Sequence, residues 1–173
     1  MVFQMSFVRR AYAQVLTCEL KMIVRMLRAV PAERFDAREP VGGTSARELA
    51  MGIVAWVRRI HEIAHGPGVH TVRTHARSRG EILLALESAY LGAHSALATL
   101  PAAHWQEVIP APIGLPTLRQ GRRGELLWQS LRELVRHGRH FGLHVRSLNH
   151  GGAAEPVPAP TPEAVSEEMA FGA

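Results

Sequence analysis

The stretch Trp128-Gln-Ser-Leu-Arg-Glu-Leu-Val-Arg-His-Gly-Arg-His-Phe-Gly-Leu-His144 reads as an amphipathic helix, with Leu131, Leu134 and Phe141, then Val145, recurring at helical steps. On the same run His137, His140 and His144 stand at i, i+3 and i+7. At about 100° per residue the three imidazoles project within roughly 60° of one another. Neutral imidazole is the commonest protein metal ligand, so one reading is a divalent ion (Zn, Ni or Mn) held by His140 with His137 and His144. The other reading is an Arg- and His-rich polar face. Measured from the inward stripe, His140 lies about 130° round and His144 about 90°, which places both toward solvent.

Outward from this stretch the helix is expected to run from a Thr117-Leu-Arg-Gln120 start to about Asn149, with Leu127 and Leu148 also inward. Gly121, Gly124, Gly138 and Gly142 weaken it by up to ~1 kcal/mol each against Ala, and leave room for a neighbouring helix. The preceding stretch, Ala102 to Leu115, has Pro110, Pro112 and Pro116 in or beside it and cannot be a regular helix. Ser78-Arg-Gly-Glu81 is a capping box opening a helix with Ile82, Leu86, Tyr90, Ala93, Leu97 and Leu100 inward, ended by Pro101. Ser45-Ala-Arg-Glu48 is a second box, reached through a loop at Pro40-Val-Gly-Gly43. Its helix carries Leu49, Ile53, Trp56, Ile60 and Ile63 and stops at Gly66-Pro67-Gly68. The first helix, about Phe7 to Val30, aligns Val8, Tyr12, Val15, Cys18, Met22 and Met26 on one stripe. Four amphipathic helices with a long Pro-rich connection before the last predict an all-α four-helix bundle over residues 1–150. Residues 151–173 turn to Pro, Ala, Glu and Gly and read as a disordered tail.

Charge and composition narrow the function classes. The chain has 173 residues, 47% of them hydrophobic, enough for one domain with a proper core. Its formal net charge is +5, with Lys21 the only lysine. Four of the fifteen acids, Glu155, Glu163, Glu167 and Glu168, sit in the tail, so the body is more basic than the whole. A basic body suits nucleic acid, but these arginines are scattered and no aromatic platform is interleaved, so nucleic acid is not expected as a partner. No apolar run approaches the ~20 residues needed to span a bilayer, and the start lacks the order of a secretion signal. The lone Cys18, on the expected inward stripe, reads as a small core residue rather than a nucleophile. Trp56, Trp128 and Tyr90 likewise read as core. A cytoplasmic setting follows as the expectation.

His61-Glu62-Ile-Ala-His65 matches H-E-x-x-H literally. In zinc proteases two such histidines bind the ion and the glutamate is the general base. Here the motif fills the last turn of its helix, where histidine interacts favourably with the helix dipole. The third histidine of the longer zinc pattern would be residue 71, which is Thr, and His70 is one place off. A metalloprotease is therefore a minor alternative. There is no Gly-rich phosphate loop, nucleophile elbow or Cys-x-x-Cys pair.

Three pieces together resemble the DinB/YfiT-like family. They are Leu27-Arg-Ala-Val-Pro-Ala-Glu-Arg-Phe-Asp36, Arg38-Glu-Pro-Val-Gly-Gly-Thr-Ser-Ala-Arg-Glu-Leu-Ala50, and Arg136-His-Gly-Arg-His-Phe-Gly142. The resemblance implies a four-helix bundle, frequent homodimers, an association with stress or DNA damage, and in many members a divalent metal on three histidines. Some members are thiol-dependent transferases or hydrolases. Carried over, the ligand positions fall on Gly52, Arg136 and His140, so the site is expected to be degenerate and no cofactor is expected. The expected function is a small-ligand-binding or interaction module. The alternative is a metal-dependent hydrolase or thiol-dependent transferase using the fourth-helix histidines. If the family's facing of helices holds, Arg136 fills the vacated space and pairs with Glu48, or with Glu133 on its own helix.

Overall fold

Two serines set where the middle helices begin. Ser45 Oγ accepts from the Glu48 amide at 3.2 Å, and the Glu48 carboxylate accepts from the Ser45 N–H at 3.0 Å. Ser78 and Glu81 repeat the exchange at 3.2 and 3.3 Å. The structure, a computed structural model, describes residues 2–38, 43–66, 76, 78–111 and 120–150, with backbone alone at 2–6 and 150. In it the two caps open α2 (Ala46–His65) and α3 (Arg79–Thr99). The outer elements are α1 (Val2–Ala29) and α4 (Arg123–His150). Short 3-10 turns at Ala32–Arg34 and Ala102–Gln106 and a two-stranded antiparallel ribbon, β1 (Val108–Pro110) with β2 (Gln120–Arg122), complete the described elements.

Contacts at the helix ends fix the directions. Arg9 Nη1 donates to Leu100 O at 3.0 Å, and Arg79 Nη1 to Val30 O at 2.7 Å, so α1 and α3 are antiparallel. Tyr12 Oη bonds Gly124 O at one end and Arg34 bonds Leu148 O at the other, so α1 and α4 are parallel. The helices pack in the ring order α1–α3–α2–α4. The core on that axis includes Leu16, Ile23 and Leu27 of α1, Ile53 and Ile60 of α2, Ile82, Leu86 and Leu97 of α3, and Leu127, Leu134 and Phe141 of α4. By length and composition alone α3 is apolar enough to cross a membrane. In the bundle Ile82, Leu86, Ala93 and Leu97 face the core.

The bundle and the starts and stops of α2 and α3 agree with the sequence reading; the rotation of α1 does not. Its buried stripe is Leu16, Leu20, Ile23 and Leu27, while Val15, Cys18 and Met22 are exposed. Both sets satisfy helical periodicity, and the stripe with the larger branched aliphatic side chains buries more apolar area. Trp128 is 49% exposed rather than core, and the buried indole is Trp105 in the 3-10 turn. Gly124 makes room for it, since a Cβ there would stand 3.0 Å from that ring. Residues 120–122 pair with β1, so α4 starts at Arg123 rather than near Gln120. Thr117, the Pro40 loop, His70 and the tail 151–173 lie outside the described residues.

Arg123 ties three segments together although it is only 4% exposed. Its Nη1 donates to Ile63 O at 2.8 Å and Ala64 O at 3.3 Å, carbonyls of the last turn of α2 that have no partner within the helix. Its Nη2 reaches Glu107 Oε2 at 2.7 Å, and its own N–H donates to Glu107 O at 2.9 Å. Gly66, at φ +110°, ends α2 beside the guanidinium. Arg123→Leu leaves two buried carbonyls unpaired and frees the half-exposed Glu107 to solvent, and is expected to destabilise the protein by about 3 kcal/mol in urea unfolding. A loss below about 1 kcal/mol, the value of an ordinary surface pair, would refute the role given to it.

Candidate functional site

The seam between α2 and α4 is where the chemistry-bearing side chains meet. Trp56, half-buried on α2, donates its Nε1–H to His137 Nε2 at 3.3 Å. His137 Nδ1 lies 2.8 Å from Glu133 O, one turn back on α4. Trp56 Nε1 can only donate, so in this contact His137 Nε2 is the acceptor and Nδ1 is the nitrogen turned to the Glu133 carbonyl. The Arg59 guanidinium lies 4.2 Å from the Trp56 ring centroid. The Glu133 carboxylate takes two bonds from Arg136, Nε at 2.8 Å and Nη2 at 2.5 Å, and stands 3.9 Å from His137 Nδ1.

The three α4 histidines do not share one environment. His137 faces Trp56, and His144 is buried at 6% exposure. His140 is exposed and lines a groove of about 540 Å³ with Val15 of α1 and with Trp128, Arg136 and Leu143 of α4. A 60° fan of side chains is wide enough to straddle the edge of a buried seam, and here it does. The burial of His144 departs from the solvent position expected for it; the inward arc of α4 is broader than the stripe centred on Phe141, because α4 packs against both α1 and α2.

The ion pair between Glu48 and Arg136 does not form. Glu48 caps α2 and bonds Arg38, and Arg136 is held by Glu133, the partner within its own helix. The hydrogen bond from Ser45 N–H, followed by the charge of Arg38, holds the Glu48 carboxyl below the usual carboxylate range. Gly52 has open space, with nothing within 4 Å of an added Cβ. The residues at the carried-over positions do not fit a three-imidazole metal site: Gly52 offers no donor, Arg136 is a cation already paired, and His140 lines the α1–α4 groove. Among the described residues no group of three or more His, Cys, Asp or Glu is placed to hold an ion. The Trp56–His137 bond and the Arg123 clamp were missed by the sequence reading. Both join residues at least sixteen positions apart and leave no local pattern.

His61 and His65 stack edge to face, with ring centroids 5.7 Å apart. His61 lies over Gly92 of α3, where a Cβ would come within 3.0 Å of the ring. Burial chiefly, and His65 secondarily, push the His61 pKa below its usual value, against the opposing charge of Glu62. A depressed folded value means the folded state favours the neutral ring. Its stabilisation is complete above the ordinary histidine value of about 6.5 and is lost as the pH falls through the folded value. Stability measured by urea midpoint should therefore fall as the pH drops below about 6.5. His61→Gln should flatten that fall, and parallel profiles for the two proteins would remove His61 as its source.

No protein-family model matches the chain, and no curated protein matches it. A crystal structure of a DinB-like protein from Bacillus subtilis, YjoA, superposes with a TM-score of 0.64 at 14% sequence identity. The match covers 81% of this chain and 92% of that one. With the four-helix architecture described above, this establishes that the chain has the DinB-like fold.

Proposed function

We propose that this DinB-like bundle works without the three-histidine metal site, as a small-ligand-binding or interaction module. A stress- or damage-associated, cytoplasmic role belongs to the same reading. The observation that carries it is His137: both ring nitrogens are engaged, one by Trp56 and one by the Glu133 carbonyl. A metal at His137 would have to displace the Trp56 donor and leave a half-buried indole N–H unpaired, at a cost of roughly 1–3 kcal/mol. Protein purified without a histidine tag is therefore expected to contain less than a tenth of an equivalent of Zn, Ni or Mn by elemental analysis. One equivalent, lost on His140→Ala, would establish the alternative of a metal-dependent hydrolase or transferase.

The register of the seam also predicts how a site could be installed. α2 and α4 run antiparallel through the Arg123 clamp, so Gly52, one turn before Trp56, stands level with the turn after His137. Gly52→His with Phe141→His, together with Trp56→Phe to release His137 Nε2, is expected to bind one equivalent of zinc once circular dichroism shows the helices intact. Gly52→His with Arg136→His is expected not to, because Arg136 and His140 line the groove toward α1. Zinc binding by the second pair alone would show that the helix facing is misassigned.

The same reading includes a homodimer. Trp128 and Leu143, the latter 64% exposed, flank the α1–α4 groove with Val15. Exposed apolar side chains gathered on one face mark an interaction surface, and a second copy is the occupant we propose. Leu143→Glu should convert a dimer to a monomer in light scattering with little change in unfolding midpoint. A wild-type monomer at about 100 μM, far above a micromolar Kd, would exclude the dimer.

A further inference from the structure

The face of α1 turned to α3 carries a second groove, of about 430 Å³, within the range of small-molecule sites. Its floor is apolar: Leu20 and Leu86 are buried, and Val24 and Leu83 pack against the core beside them. Lys21, Arg25 and Arg28 line it from α1, with Glu87 of α3 the one acid in the lining. Among the described residues no ion pair engages any of the three cations. From Thr17 to Arg28 the lining follows α1 for about 16 Å at 1.5 Å per residue.

The end away from Arg28 is closed by a hydroxyl pair. Thr17 Oγ donates to Ala13 O at 2.7 Å, so in the 3.1 Å contact with Tyr90 the phenol is the donor and Thr17 the acceptor. Both hydroxyl protons are thereby used, and that end offers no O–H donor to an anion. An anionic group belongs at the Arg25 and Arg28 end, and an apolar chain belongs over the Leu20 and Leu86 floor.

We propose that the α1–α3 groove binds a single-chain amphipathic anion, an alkyl carboxylate or alkyl phosphate of medium chain length. This names a ligand class for the small-ligand module proposed above and rests on that reading. Charge and shape support it together: an elongated apolar floor, cations along one wall that no ion pair among the described residues engages, and a single acid in the lining. The guanidiniums would meet the head group and exposed methylenes would be covered by the floor.

Decanoate and decyl phosphate, each below its micellar range, are the probes, titrated into the full-length protein with amide chemical shifts and calorimetry as readouts. Both runs include EDTA, which separates this test from the metal question. The expected result is saturable one-to-one binding, with shifts gathered on residues 17–28 and 83–90. Octanoate should bind about fourfold more weakly than decanoate, as for two half-buried methylenes. Arg25→Glu with Arg28→Glu should weaken binding at least tenfold while leaving the helical signal unchanged. Decanol should not compete at equal concentration. A preference of decyl phosphate over decanoate, or the reverse, identifies which head group the wall is built for. The proposal is overturned by absence of saturation near 1 mM, the weak end of specific binding. It is equally overturned by insensitivity to the charge reversals, or by shifts confined to the α1–α4 groove. Binding that appears only when EDTA is omitted and zinc supplied would instead overturn the metal-free reading on which it rests.

Discussion

A guanidinium held at 4% exposure needs acceptors for its charge, and Arg123 finds them for both terminal nitrogens, in two other segments of the chain. Its acceptors are the two last-turn carbonyls of α2 and the carboxylate of Glu107. The two carbonyls would otherwise be left buried without a partner, while Glu107 is half exposed. The cation also sits where the α2 dipole places partial negative charge. One side chain thus locks the start of α4 against the end of α2 and anchors the connection that carries β1. Its Nε finds no partner among the described residues, so the clamp holds through its two terminal nitrogens. The antiparallel setting of α2 and α4 follows, and with it the register that brings Trp56 to His137.

That register makes the α2–α4 seam a hydrogen-bonded layer rather than a ligand cage. Trp56 supplies a donor, His137 Nε2 accepts it, and His137 Nδ1 is turned to a backbone carbonyl. Two nitrogens of Arg136 converge on one Glu133 oxygen, so that carboxylate already has a cation beside it on the rim of the seam. The open space beside Gly52 is therefore steric room without donors.

What was legible in the sequence follows from how local each interaction is. The boxes at Ser45 and Ser78 involve residues three apart, and both helix starts could be read directly. Gly138 and Gly142 announced a close approach, and the structure places Ile23 and Met26 of α1 against them. Helical periodicity gave the number of helices. It failed where a helix has two apolar stripes: α1 offers Val15, Cys18 and Met22 as well as Leu16, Leu20 and Ile23, one or two residues apart. Only the neighbours decide between such stripes. The Arg123 clamp and the Trp56–His137 bond span sixteen and eighty-one positions, and no spacing rule reaches that far.

The second stripe of α1 accounts for the apolar rim that this helix gives to its groove with α4. A helix in a ring of four shows its neighbours two sides and keeps one for solvent, so an extra apolar stripe falls outside the core. On α1 it emerges at the seam with α4, where Val15 meets Trp128 and Leu143. On the opposite flank Lys21, Arg25 and Arg28 line a groove with Leu20 and Val24, and among the described residues no ion pair holds them. Long cationic side chains can lay their stems on apolar surface while their heads remain hydrated. An amphipathic anion can replace that cover without breaking any ion pair among the described residues, so its binding would not work against the stability of the fold.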